Sequence, residues 1–274
     1  MKNSKPFPCP AWLGVEFLTA QELRACRTLF LGQGEGLTLT VIDLARLQAE
    51  LLVPGQTLLA ASLDRAEQDR FASFSFPKRQ LEWLGGRLAA KHAALSLLAR
   101  EAGHLPGYRE LVVEPDPAGR PHLTRQGGTN ATLPAISISH SHGYAGALAV
   151  HGPSCGLDLQ QVTPRVLTVQ DRFASREEVV ILRAAPSLAG LGEAALLTLL
   201  WSAKESLRKA MACEPLLGFT ELTLAHLEVQ RGSGLVGLFS CRRPAMTLGP
   251  VFLVLRDHFA LALTAQPPTS QNTT

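Results

Sequence analysis

The sequence predicts an α+β protein built from two halves. Stretches with the alternating pattern of β-strands and stretches with helical periodicity occur throughout the chain, but they do not follow a strict strand–helix alternation. The main predicted helix of each half carries a tryptophan followed at i+4 and i+8 by charged residues: Trp83, Arg87 and Lys91 in the first half, and Trp201, Glu205 and Lys209 in the second. This repeated spacing raises the hypothesis of an ancient duplication, which the sequence by itself leaves open.

In the first half, the predicted elements are strands around one long helix. Residues 37–44, LTLTVIDL, alternate as a strand does, and 69–100 predict a turn followed by a long helix. Pro, Asp and Gly within 114–123 predict a turn between two strands. Short strands are predicted over 135–139 and 145–151.

In the second half, a strand is predicted over 155–159 and a capped helix over 175–183. Ser175 is the expected N-cap, with Glu178 three residues later as its capping-box partner. A stronger helix is predicted over 193–212, and several strands with Gly and Pro turns over 220–264.

The composition argues against several classes of protein. The 274 residues are 46% hydrophobic, which is enough for a continuous core. The five cysteines are scattered without a C-x-x-C pair, so we expect a reducing cytoplasm and neither a disulfide framework nor a zinc site. We expect a soluble chain with no signal peptide and no membrane span, since the longest apolar stretches fall short of about 20 residues. With two tyrosines and no basic run interleaved with aromatic residues, nucleic acid is a poor candidate partner.

The helix over 193–212 places Trp201, Glu205 and Lys209 on the side opposite its leucines. One interpretation is a solvated face with a Glu–Lys pair at i, i+4. The other follows from Trp201, because a large indole on that side implies that something covers it. Glu205 and Lys209 then line a cleft.

Two further groups of polar residues have a functional interpretation beside a structural one. Ser139 and His140 are predicted at a strand end, where they either hold a phosphate or make the hydrogen bonds of a turn. Asp158, inside an apolar run, requires either a magnesium ion or a buried ion pair.

A basic group follows the first long helix. Its members either form a solvated stripe or bind a ligand with several phosphates: Arg79, Arg87, Lys91 and, in the following turn, Arg120.

Six motifs occur in an order that resembles the Sfp-type 4'-phosphopantetheinyl transferases, over about residues 60–212. They are GRLAAKHA (86–93), DPAGRPHL (116–123), SISHSHG (137–143), GLDLQ (156–160), FASREE (173–178) and WSAKESLRK (201–209). The resemblance implies two pseudo-twofold-related α/β halves, each a small, largely antiparallel sheet packed on a long helix. We accordingly expect residues 1–150 to contact coenzyme A and 151–274 to hold magnesium and the catalytic residues, with 266–274 a disordered tail.

The resemblance also implies a reaction and its residues. The chain is expected to transfer the 4'-phosphopantetheine arm of coenzyme A to a serine of an apo acyl or peptidyl carrier protein, as a cytoplasmic monomer. Asp158 and Glu205 match magnesium ligands, Glu205 also matches the general base, and Lys209 is expected to assist the leaving group. The positions matching contacts to the coenzyme are Lys78, Arg79, Arg87, Lys91, Arg120, Ser139, His140 and Lys204.

One position departs from the family pattern. Many members have a second acid two residues after the aspartate, where this chain has Gln160. An amide oxygen can still bind magnesium but brings no charge, so the departure bears on metal affinity. Two alternatives remain beside the transferase hypothesis: a non-catalytic descendant that binds carrier protein or nucleotide, and an acyltransferase acting on the thioester end of acyl-coenzyme A.

Overall fold

A computed structural model describes residues 16–31, 36–55, 57–99, 105–127, 133–211, 215–229, 234–243 and 246–266. Of the tail predicted over 266–274, only Gln266 lies within these residues, and its backbone N–H donates to the carbonyl of Ser154 at 3.0 Å. The chain divides into two compact units. The first unit contains Gly36–His151, and the second contains Phe17–Glu35 together with Gly152–Thr274.

The helices and strands of the described residues alternate irregularly along the chain. The α-helices are α1 (Ala20–Leu31), α2 (Leu44–Leu51), α3 (Leu58–Ser62), α4 (Arg65–Ala72), α5 (Pro77–Leu98), α6 (Arg176–Ala184) and α7 (Glu193–Met211). The strands are β1 (Leu37–Asp43), β2 (Leu111–Pro115), β3 (Pro121–Arg125), β4 (Ala135–Ser141), β5 (Tyr144–Val150), β6 (Cys155–Gln161), β7 (Leu222–Val229), β8 (Leu235–Cys241), β9 (Val251–Arg256) and β10 (Phe259–Ala265). Short 3-10 helices span Pro164–Arg172, Pro186–Leu188 and Phe219–Glu221.

In the first unit, α5 packs against an antiparallel sheet in the order β1-β5-β4, beside the hairpin β2-β3. The approach is close, since a Cβ added to Gly85 lies 2.4 Å from the side chain of Leu44 and 3.0 Å from that of Ala145. Glycine on α5 therefore lets the helix meet β5 and the start of α2.

In the second unit, α7 packs against β6 and β10 of a five-stranded antiparallel sheet ordered β6-β10-β9-β8-β7. A Cβ added to Gly156 would lie 1.8 Å from the carbonyl oxygen of Ser206 on α7. Only glycine permits this approach, and it brings Asp158 of β6 toward Glu205 of α7. The predicted α+β class, with antiparallel sheets packed on long helices, is confirmed.

Helix α1 belongs to the second unit although it precedes the first in sequence. The guanidinium of Arg256 on β9 donates to both carboxylate oxygens of Glu22, at 2.9 and 3.0 Å, and to the carbonyl of Phe17 at 2.8 Å. The ring of Phe17 also meets that of Phe259 edge to face. The two units divide between His151 and Gly152, next to the expected division at residue 150, and the segment Phe17–Glu35, expected in the first half, belongs to the second unit.

Each unit contains a buried lysine held in the same way. In the first unit, Lys91 on α5 pairs with Glu67 and donates to the Ser62 carbonyl; Glu67 is the capping-box residue of α4 and accepts from the Val113 backbone. In the second unit, Lys204 on α7 pairs with Glu178 and donates to the Phe173 carbonyl. Glu178 is the capping-box residue of α6 and accepts from the Leu224 backbone.

This repeated arrangement gives an internal correspondence different from the one suggested by the tryptophans. It matches Lys91 with Lys204, whereas the Trp83 and Trp201 spacing had matched Lys91 with Lys209. Lys91 comes eight residues after Trp83, whereas Lys204 comes three residues after Trp201. The two tryptophans therefore do not mark equivalent positions of the two helices.

His92, beside Lys91 on α5, makes the stability of the chain depend on pH. Burial lowers its pKa to about 4. The unfolded chain takes up a proton on this histidine below about pH 6.5 and the folded chain does not, so about 3 kcal/mol of stability is lost as the pH falls from 6.5 to 4. Nδ1 of His92 is hydrogen-bonded to the hydroxyl of Tyr108. The prediction is that His92→Gln, which retains a polar partner for that hydroxyl, removes this part of the loss. Urea unfolding of both proteins across this range measures it, and parallel stability curves would contradict the assignment.

No helix within the described ranges combines the length and apolar character needed to cross a membrane.

Candidate functional site

Asp158 and Lys209 meet where β6 packs against α7. The Nζ of Lys209 donates to Oδ1 of Asp158 at 3.0 Å and to the carbonyl of Leu157 at 2.8 Å. Asp158 lies within the sheet, paired in register with Ala262 of β10. A buried aspartate therefore has a cation beside it, which offsets part of its desolvation cost.

Glu205 extends the same site from α7. Burial raises the pKa of Glu205, the cations Arg208 and Lys209 oppose that shift, and the negative charge of Asp158 adds to it. The two carboxylates are thus close enough to influence each other. Nη1 of Arg208 donates to Oε1 of Glu205 at 2.9 Å.

Gln160 lies on the same face of β6 as Asp158, because residues two apart on a strand point to the same side. Its amide nitrogen donates to the carbonyl of Gln161 at 3.3 Å. The described residues contain no cluster of three or more His, Cys, Asp or Glu side chains able to hold a metal. The available donors are two carboxylates and an amide oxygen, which are the hard oxygen ligands that suit magnesium.

Trp201 is covered by aromatic residues of its own unit. It stacks on Phe219 at a centroid distance of 4.5 Å and meets Phe173 edge to face at 5.1 Å. In the first unit, Trp83 likewise contacts Phe71 and Phe74. The rings of Phe219 and Phe173 are what covers the indole of Trp201, as expected.

Lys91 and Lys204 are placed where a coenzyme contact is not expected. Their side chains are 0% and 1% exposed, and each ammonium is occupied by a carboxylate and a backbone carbonyl. Desolvation lowers the pKa of both lysines. Because a phosphate cannot replace these buried partners without leaving a carboxylate unpaired, we correct the prediction and treat both lysines as structural.

Ser139 and His140 are two of the last three residues of β4, which ends at Ser141, so they lie at a strand end as predicted. The turn that follows uses His142 and Gly143, both with positive φ, at 40° and 87°. Ser139 is buried, whereas the side chain of His140 is exposed, with Nδ1 3.9 Å from Oε2 of Glu82. Of the two, His140 has access to a ligand.

The arginines of the basic group occupy three different environments. Arg79 lies exposed on the first turns of α5. The guanidinium of Arg87 stacks over Trp83 at 4.4 Å, and burial lowers its pKa to about 10. Arg120, in the β2–β3 turn, forms an ion pair with Asp116 at 2.6 Å and is partly exposed.

Two neighbours of the candidate residues, one in each unit, were missed from the sequence. Arg208 touches Glu205, and the i, i+3 spacing of these charges on a predicted helix was a signal that could have found it. Glu82 lies beside both His140 and Lys78, at 3.9 Å from each. Its contact with His140 joins α5 to β4, and no local pattern indicates such a pairing.

A family model and curated relatives point to the same protein family. A family model described as "4'-phosphopantetheinyl transferase superfamily" matches residues 154–247, the part of the chain that contains Asp158, Glu205 and Lys209. Among solved structures, the ACPS–CoA complex of Chronobacterium ammoniagenes is similar at 25% identity and a TM-score of 0.35, covering 42% of this chain and 93% of the other.

Two curated relatives carry the name holo-[acyl-carrier-protein] synthase. The protein of Staphylococcus carnosus is 27% identical over 115 residues, 42% of this chain and 94% of the relative. The protein of Exiguobacterium sibiricum is 34% identical over 112 residues, 41% of this chain and 84% of the relative. The chain therefore belongs to the 4'-phosphopantetheinyl transferase superfamily.

Proposed function

We propose that this chain transfers the 4'-phosphopantetheine group of coenzyme A to a serine of an apo acyl or peptidyl carrier protein and releases adenosine 3',5'-bisphosphate. The observation that carries the proposal is the joining of Asp158, Glu205 and Lys209 between β6 and α7. This is the segment that the superfamily model matches, and the relatives named above are holo-[acyl-carrier-protein] synthases.

A magnesium ion fits the donor set of this site. Asp158 and Glu205 would hold it, with Gln160 as a neutral third donor. When bound, the ion neutralises charge on the pyrophosphate of coenzyme A, which phosphoryl transfer requires more than covalent help from the protein.

Glu205 has the role of general base in this proposal. The serine Oγ forms a bond to the phosphorus that carries the pantetheine arm, and the bond from that phosphorus to the bridging oxygen breaks. The serine proton passes to Glu205, and the electron pair of the broken bond leaves with adenosine 3',5'-bisphosphate. Burial raises the pKa of Glu205, which favours uptake of a proton by its carboxylate.

Lys209 is held against Asp158 with its charge directed into the site. It has the role of stabilising the negative charge of the leaving phosphate. Further coenzyme contacts in this proposal are the exposed residues His140, Arg79 and Arg120, together with the less accessible Arg87 and Ser139. Lys91 and Lys204 are left out because they are occupied in buried ion pairs.

The proposal is tested by following adenosine 3',5'-bisphosphate in mixtures of the protein, coenzyme A, magnesium and an apo carrier protein. We expect release only when the carrier has its serine, so a Ser→Ala carrier is the control. Equal release with both carriers points to hydrolysis of coenzyme A, and no release across acyl and peptidyl carriers refutes the transferase. The cytoplasmic location and the monomeric state are further parts of the proposal.

Gln160→Glu is predicted to strengthen magnesium binding. A third carboxylate on the metal-facing side of β6 adds negative charge next to Asp158, and we expect the dissociation constant for magnesium to fall by about tenfold. Calorimetric titration of magnesium in the presence of coenzyme A measures this. Gln161→Glu, one residue on and on the opposite face of the strand, is the matched control, and an equal gain there would contradict the assignment.

A further inference from the structure

Arg208 lies one helical turn after Glu205 on α7 and has no part in the roles assigned so far. Its Nη1 donates to Oε1 of Glu205 at 2.9 Å, and its Nε donates to the carbonyl of Leu217 at 2.7 Å. We propose that Arg208 is a positioning residue that fixes the carboxylate of Glu205 for phosphopantetheine transfer. The inference rests on the proposed function, because Arg208 acts through the proposed base.

The guanidinium of Arg208 is held by three separate contacts. Besides the two hydrogen bonds, it lies over the ring of Phe219 at 4.2 Å from the centroid. Phe219 in turn stacks on Trp201 of α7. A planar guanidinium with donors in a fixed fork loses little additional freedom when two of them are bound, so the group is a rigid support.

The support acts on one oxygen of the carboxylate. A hydrogen bond to Oε1 limits rotation of the Glu205 carboxylate and so sets the direction of Oε2. Both proposed duties of Glu205, metal binding and proton transfer, depend on that direction, because misplacement of a reacting group by about 1 Å costs up to about 10²-fold in rate. Partners that orient a metal ligand typically matter by about 10–100-fold.

Arg243 provides a comparison within the same unit. It anchors the segment after α7 by donating to the carbonyls of Pro215 and Leu216, at 2.6 and 3.2 Å, and by an ion pair with Glu221. Arg208 and Arg243 therefore hold neighbouring carbonyls of one segment. Arg243→Gln loosens this segment and leaves the Arg208–Glu205 hydrogen bond in place. It therefore shows how much of any change in the Arg208 variants comes from loosening the segment alone.

The test compares Arg208→Gln, Arg208→Lys and Arg243→Gln in the full chain. We expect Arg208→Gln to lower kcat by about 10–100-fold and to weaken magnesium binding severalfold, with KM for the carrier unchanged. Arg208→Lys is expected to restore less than half of this loss on a logarithmic scale, since one ammonium cannot reproduce the fork that reaches Glu205 and Leu217. Arg243→Gln is expected to match the wild type in kcat and magnesium affinity.

Two readouts separate this inference from the proposed function. Calorimetric titration of magnesium in the presence of coenzyme A requires no turnover, and all assays are run well below the melting temperature of each variant. If Arg208→Gln binds magnesium and turns over as Arg243→Gln does, the positioning role is overturned. If the wild type transfers nothing to any carrier, the proposed function is refuted instead.

Discussion

Replacing Glu205 by glutamine is expected to lower the rate of phosphopantetheine transfer by about 10³-fold. The amide has nearly the same shape as the carboxylate and keeps an oxygen for Arg208, but it cannot accept the serine proton and has no charge to offer magnesium. The loss should therefore fall mainly on kcat, with weaker magnesium binding beside it. Initial rates of adenosine 3',5'-bisphosphate release at saturating coenzyme A and carrier measure the effect.

Glu193→Gln is the matched control for this variant. Glu193 begins the same helix, and its carboxylate forms an ion pair with Arg183 at 2.8 Å. The side chains of Glu193 and Arg183 are 45% and 58% exposed. We expect near wild-type rates from it. A Glu205→Gln protein that retains more than about a tenth of the wild-type kcat contradicts the role of general base.

The second large effect concerns stability. Glu178→Gln is expected to lower the free energy of unfolding by about 3–5 kcal/mol, because it leaves the ammonium of Lys204 buried without a counter-charge. The wild-type carboxylate accepts from Lys204 and from the backbone of Leu224, both in the interior. Urea unfolding followed by circular dichroism measures the difference.

A double variant distinguishes an unpaired charge from a general packing defect. Glu178→Gln with Lys204→Met removes both charges and is expected to recover most of the lost stability, since a buried ion pair can often be replaced by neutral groups at little net cost. The exposed pair Arg183–Glu193 is the reference for an ion pair in solvent, since Glu193→Gln should lower the free energy of unfolding by less than about 1 kcal/mol. A double variant no more stable than Glu178→Gln alone would contradict this explanation.

Local patterns predicted the elements near the site well. The apolar periodicity over 193–212 corresponds to α7, which ends at Met211, and the Ser175–Glu178 capping box is present at the start of α6. Both depend on residues within a few positions of each other, which sequence spacing can express. For Asp158 the sequence left a magnesium ion and a buried ion pair open, and the structure gives it Lys209 as an ion-pair partner.

Contacts between distant segments could not be predicted in this way. Oε1 of Glu178 accepts a hydrogen bond from the backbone N–H of Leu224, 46 residues away. Arg256 on β9 donates to Glu22 and so attaches α1 to the second unit. Neither has a local pattern. The burial of Lys204 had a partial signal, since adjacent residues on a helix point about 100° apart and Lys204 therefore faces away from Glu205. The helices α1 to α4 were not predicted, since the first helix was expected only after a turn that begins at residue 69, inside α4.

The most direct test of the central claim is the intact mass of an apo carrier protein after incubation with this chain, coenzyme A and magnesium. We predict that the carrier gains one phosphopantetheine group, that peptide mapping places it on the carrier serine, and that Glu205→Gln nearly abolishes the gain in the same time. A carrier whose mass stays unchanged with the wild-type chain, across acyl and peptidyl carriers, contradicts the account.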